Sequence, residues 1–144
     1  MTAETPHPFG LERHRFDRRL ARLRTLRERA IDGPPMTAVE RAQALYELRR
    51  ARALFFGSDA DLFAEPAWDM LLDLFIARGR GHNLSISDTC VGAEVPPTTG
   101  LRWIGLLETR GLVERVRDSH DGRRCFLRLT PSGYETMRLY LEAC

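Results

Sequence analysis

Cysteine is scarce in this chain and lysine is missing from it. The three cysteines, Cys90, Cys125 and Cys144, form an odd set with no CxxC spacing, which excludes a disulfide framework and a structural zinc site. No stretch approaches the roughly 20 consecutive apolar residues of a membrane-spanning helix. The opening residues MTAETPHPFG lack the basic-then-apolar order of a secretion signal, so the expected location is the cytoplasm, with no membrane partner. Histidines are few and scattered: His7, His14, His82 and His120 make no HxxxH or HExxH pair, and neither a glycine-rich phosphate loop nor a nucleophile elbow occurs. An enzyme is therefore not expected, and neither is a metal or another cofactor. His14, in a basic run, and His120, in a turn, read as solvated side chains.

With lysine absent, all 22 basic side chains are arginine, each able to present a planar fork to a phosphate or to the edge of a base. The net charge is only +2, and residues 66–144 hold ten arginines against ten acids. Any affinity for a polyanion must come from local clusters and not from the overall field. At 144 residues the chain is long enough for one domain with a real core, and its 43% hydrophobic content is that of a globular protein.

Residues 1–10, with Pro6, Pro8 and Gly10, read as a frayed start. Helical spacing follows from Leu11 to Ile31, placing Phe16, Leu20, Leu23 and Ala30 on one side and setting eight arginines against three acids. Such a charge run reads as a solvated face, with contact to phosphate or to an acidic partner as its alternative. Asp32-Gly33-Pro34-Pro35 breaks the chain, and Thr37 with Glu40 forms a capping box for a second helix that Gly57 stops. Its apolar residues, Leu45, Leu48 and Phe55 with the off-stripe Tyr46, Leu54 and Phe56, exceed one face of a lone helix. They call for a partner: the first helix and the domain that follows, or a second subunit.

Beyond a short linker at Ser58–Asp61, Pro66 opens a third helix with Trp68, Leu71, Leu72, Phe75 and Ile76 in one amphipathic stripe, ending at Arg78-Gly79-Arg80-Gly81. Trp68 and Phe75 are predicted core. Asn83-Leu84 reads as a short strand, and Ser85, answered by Asp88, caps a compact helix to about Ala93. A turn at Glu94-Val95-Pro96 leads into another helix, where Gly100, Trp103, Ile104 and Leu107 recur at helical spacing and face inward. Thr98, Thr99, Arg102 and Thr109 lie opposite. After Gly111, a natural stop, two strand-like runs, Leu112–Arg117 and Cys125–Leu129, flank a turn carrying Arg123 and Arg124. A last helix starts at Thr130-Pro131 with Tyr134, Met137 and Leu141 on one side. Cys90 and Cys125 read as small apolar side chains, since a redox-sensing thiol needs exposure and a lowered pKa.

The run GLVERVRDSHDGRRCFLRLTPSG resembles the wing of MarR-type winged helix-turn-helix transcription regulators: Gly111-Leu112-Val113, then Asp121 with Arg123-Arg124, then Leu129-Thr130-Pro131-Ser132-Gly133. The resemblance covers roughly Pro66 to Gly133. Two departures accompany it. Leu106 stands where a basic residue is common, and the family's long further helix has no counterpart before Cys144.

The expected fold is mainly α with a small β-hairpin, a winged helix-turn-helix domain at 58–144 preceded by an N-terminal helical segment at 1–57 that serves dimerisation. The resemblance implies a sequence-specific regulator bound to double-stranded DNA, as a homodimer on an inverted repeat. Thr98, Thr99 and Arg102 are the expected base readers in the major groove. Arg123 and Arg124 are expected at the adjacent minor groove, one of them held by Asp118 or Asp121. A winged-helix adaptor that binds protein instead of DNA is the alternative; it has no need of arginine on both the helix and the wing. A small-molecule effector is compatible with this class, and no residue points to one.

Overall fold

The computed structural model describes residues 13–143. The predicted frayed start, the helix onset at Leu11, His7 and Cys144 lie outside them. Six helices and a three-stranded sheet follow in the order α1 (Arg13–Asp32), α2 (Ala38–Phe56), a 3-10 helix (Gly57–Phe63), α3 (Pro66–Gly79), β1 (Leu84–Ser85), α4 (Ile86–Gly92), α5 (Pro97–Thr109), β2 (Val113–Arg117), β3 (Cys125–Leu129) and α6 (Pro131–Ala143). None of the described helices is long and apolar enough to cross a membrane. The chain forms two compact units, one from residues up to Pro35 with Glu47–Ala64, the other from Met36–Tyr46 with Glu65 onward.

In the first unit, α1 runs antiparallel to the second half of α2. Phe16 meets Phe55 edge-on at 5.4 Å, Arg19 Nη1 donates to the Arg50 carbonyl at 2.8 Å, and Arg22 pairs with Glu47 at 3.1 Å. Where a linker was expected at Ser58–Asp61 the chain winds into the 3-10 helix, after Gly57 turns it with φ 56°. Phe63 comes back against Phe56 at 5.0 Å, a contact that rewards the tight turn.

The second unit is the winged helix-turn-helix. Met70, Leu72, Ile104, Leu127 and Leu141 are its largest fully buried apolar side chains. The capping box predicted at Thr37 and Glu40 is present, with Glu40 accepting from the Thr37 N–H at 2.8 Å and Thr37 Oγ1 from the Glu40 N–H at 3.2 Å. From there α2 drives Ala42, fully buried, and Leu45 into the core. Arg41 Nη1 donates to the Leu141 carbonyl at 2.6 Å, and the Tyr46 hydroxyl to the Gly92 carbonyl at 2.7 Å, so the start of α2 satisfies carbonyls at the ends of α6 and α4.

The single stripe expected on α3 understates its burial. Met70 and Leu74, off that stripe, are buried with Leu71, Leu72, Phe75 and Ile76, while Trp68 is half-buried and meets Tyr140 edge-on at 5.3 Å. A helix covered on most sides is a central one, and α3 packs between the sheet, α5 and α6.

The sheet has the order β1-β3-β2, all antiparallel. The predicted short strand exists one residue later than read, at Leu84–Ser85, pairing with Leu127 and Phe126. Across the hairpin Val113 faces Leu129, Glu114 faces Arg128 and Arg117 faces Cys125.

Candidate nucleic-acid interface

Two helices and a turn build the helix-turn-helix. Ser85 opens α4 with a full capping box: its Oγ accepts from the Asp88 N–H at 3.0 Å, and Asp88 accepts from the Ser85 N–H at 3.1 Å. The hydrogen bonds from Ser85 hold the Asp88 carboxyl below its ordinary value, with the Arg124 charge adding to the effect. The turn into α5 closes with Glu94 N–H on the Val91 carbonyl at 3.0 Å and Val95 N–H on the Cys90 carbonyl at 3.3 Å, Glu94 taking φ 55° where glycine is the usual residue. Gly100 sets how closely α5 lies on α4, because a Cβ there would run into Cys90 Sγ. Cys90 is buried, and burial pushes its thiol pKa up, which is the opposite of what a redox-sensing thiolate requires.

Helix α5 buries Gly100, Ile104 and Leu107 and leaves Thr98, Thr99, Arg102 and Thr109 exposed, as their spacing predicts. Thr109 is turned back on its own helix, donating to the Gly105 carbonyl at 2.9 Å, so it presents less of its hydroxyl outward than Thr98 and Thr99. Leu106 is outward too, 46% exposed. No side chain caps the N-terminus of α5 and no acid stands in its first turn. The positive end of its dipole and the N–H groups of Thr98 and Thr99 are thus left for an external anion.

Gly111, with φ 70°, ends the helix by a paired closure, its N–H on Glu108 at 2.9 Å and that of Leu112 on Leu107 at 3.0 Å. Arg115 Nε to Glu108 at 2.6 Å ties β2 to the last turn of α5, and Arg128 Nε to Glu114 at 2.7 Å joins the two strands. The wing turn is held by its own acids, Asp118 accepting from the His120 N–H at 2.9 Å and Asp121 from the Arg123 N–H at 3.0 Å. Among the described residues neither carboxylate pairs with an arginine side chain, contrary to the sequence expectation. The guanidinium of Arg124 lies instead over the Phe126 ring at 5.5 Å, while that of Arg123 meets no ring or acid among them; both residues are exposed.

Sequence reasoning missed how the charges are divided. Arg115, Arg128 and Arg138 are neutralised by Glu108, Glu114 and the pair Glu135 and Glu142. Among the described residues the guanidinium groups of Arg102, Arg117 and Arg123 meet no acid and no acceptor. The zero balance of this half of the chain thus conceals free cations on the helix and the wing.

The wing's far edge explains the Leu-Thr-x-x-Gly pattern. Thr130 Oγ1 accepts from the Gly133 N–H at 3.0 Å and donates to the Gly111 carbonyl at 2.6 Å, so one hydroxyl caps α6 and fastens it to the end of α5. Gly133 is buried against the Leu112 backbone.

Residues 68–133 match a family model described as a winged helix DNA-binding domain. A search of curated proteins returns no match. Among solved structures, the chain is similar to the S. aureus MepR–DNA complex at 21% identity over 66% of this chain and 80% of that one, with a TM-score of 0.48. PcaV from Streptomyces coelicolor, in complex with its natural ligand, is similar at 21% identity over 96% and 74% of the two chains, with a TM-score of 0.44. A Lactococcus lactis ZitR mutant shares 12% identity over 51% of this chain and 49% of its own, so the chain spans about half of that relative, at a TM-score of 0.43. The residues that carry the MarR-type resemblance, Gly111 to Gly133, fall inside the matched segment. Residues 68–133 are thus similar to that domain in sequence, and the same stretch builds α3 to β3, the helix-turn-helix and the wing.

Proposed function

We propose that the protein is a transcription regulator that binds double-stranded DNA sequence-selectively, with α5 in the major groove and the wing at the adjacent minor groove. The observation that carries this reading is the uncapped start of α5, which bears Thr98, Thr99 and an unpaired Arg102, in a unit where Arg115, Arg128 and Arg138 are ion-paired. Those three side chains would read bases, Arg102 reaching the O6 and N7 of a guanine. On the wing, Arg123 is the reaching cation and Arg124, stacked on Phe126, shapes the base of the turn. Replacing Arg123 with Ala is expected to weaken binding alike on all duplexes and to lower the slope of log affinity against log salt by about one counterion. Fluorescence anisotropy over a salt series measures it; an unchanged slope removes the wing from the mechanism.

A homodimer on an inverted repeat completes the proposal, since one reading helix covers few base pairs and paired half-sites demand two-fold symmetry. The first unit offers the surface. Ile31, Leu48, Phe55, Phe56, Leu62 and Phe63 are exposed there, from 41% to 78%, while Phe16, Leu20 and Leu23 are half-buried. Leu45 is spoken for by the winged core. Met36–Tyr46 belongs to the winged unit, so point substitutions in the first unit test this better than its removal. Changing Leu48 and Leu62 together to Glu is expected to convert a dimer to a monomer by light scattering at micromolar concentration. A wild type that is already monomeric contradicts the arrangement.

A further inference from the structure

Gly105 occupies a place in α5 that nothing in the chain explains. Glycine inside a helix gives up more conformational freedom than any other residue, so it is suited to places where something must come close. The other helical glycines of this unit show the ordinary reason, Gly79 meeting Val39, Gly92 meeting Asp73, Gly100 meeting Cys90 and Gly133 meeting Leu112. At Gly105 an added Cβ would have no heavy atom within 4 Å. By helical spacing the position lies on the outward side with Thr98, Arg102 and Thr109, away from Gly100, Ile104 and Leu107. Thr109, drawn back onto the Gly105 carbonyl, leaves that strip of helix lower still.

We infer that Gly105 is the point at which the sugar–phosphate strand of the DNA comes closest to α5, the missing side chain admitting it to the helix backbone. The inference rests on the DNA-binding reading above and adds a contact to it. The strand, and not a base edge, is the fitting occupant because Gly105 lies about 12 Å along the helix from Pro97, more than two turns on, while base edges are met by the N-terminal residues of such a helix. Contact of this kind carries no sequence information.

The test is Gly105→Ala in the full chain, read by thermal unfolding and by binding to a selected and an unrelated duplex. Alanine is the better helix former and has open space, so the melting temperature should rise by about 4 °C or more. Affinity should nevertheless fall about fivefold or more on both duplexes alike. A rise in stability with affinity unchanged shows that DNA does not use the space and overturns the inference. So does a loss confined to one base position, which would put a base edge there, and so does a lower melting temperature, which would mean that the chain itself needs the gap. If the wild type binds no duplex at all, the parent reading falls and takes this one with it. That result is distinct from the others, all of which require wild-type binding.

Discussion

Arg102→Ala is expected to weaken binding to the preferred duplex by about 1–3 kcal/mol, roughly 5- to 150-fold, and to relax preference at one base pair. The side chain is exposed, lies opposite the buried Gly100, Ile104 and Leu107, and among the described residues has no acid to compete for it. Alanine is at home in a helix, so the fold should survive and the melting temperature should hold. Arg102→Lys separates charge from geometry: it keeps the cation and loses the planar fork, so it should recover general affinity but not the base preference. The check is anisotropy on the preferred duplex and on its single-base variants. An equal loss on every duplex would make Arg102 a phosphate contact and leave the base reading to Thr98 and Thr99.

The second large effect falls on stability. A Cβ at Gly133 would lie well inside contact distance of the Leu112 carbonyl. That carbonyl cannot step aside, because it accepts from the Thr130 N–H at 3.1 Å while the Leu112 N–H is held by Leu107 at 3.0 Å. Overpacking of this kind costs about 1–3 kcal/mol. Gly133→Ala should therefore lower the melting temperature by on the order of 10 °C, despite the better helix propensity of alanine. The change would pry α6 from the joint between α5 and the wing. Circular dichroism melts decide it, and an unchanged melting temperature would show that the joint yields freely.

Much of this was legible in the sequence because it is local. Period 3.6 gave the faces of α5, the Thr37/Glu40 and Ser85/Asp88 boxes gave two helix starts, and Gly111 gave a stop, each confirmed by its own hydrogen bonds. What escaped depends on residues far apart in the chain. Arg41 reaches a carbonyl at Leu141 and Tyr46 one at Gly92, so the start of α2 joins a core that no local pattern announces. The 3-10 helix at Gly57–Phe63 is another such case, stabilised by Phe56 against Phe63 where composition reads as linker.

The charge division was within reach. Once the hairpin is centred on Asp121, Glu114 and Arg128 must face each other, as they do. The uncapped start of α5 was also visible as Pro96-Pro97 followed by two threonines with no acid in the first turn. Its meaning emerges beside the capped α4 and α6.

The measurement that tests the account most directly is selection by the full-length protein from a pool of random duplexes at moderate salt. The account predicts an enriched motif made of two inverted half-sites about 10 bp apart, one base pair of which loses its preference in Arg102→Ala. Recovery of no motif, together with failure to retard duplexes of any sequence, would contradict it.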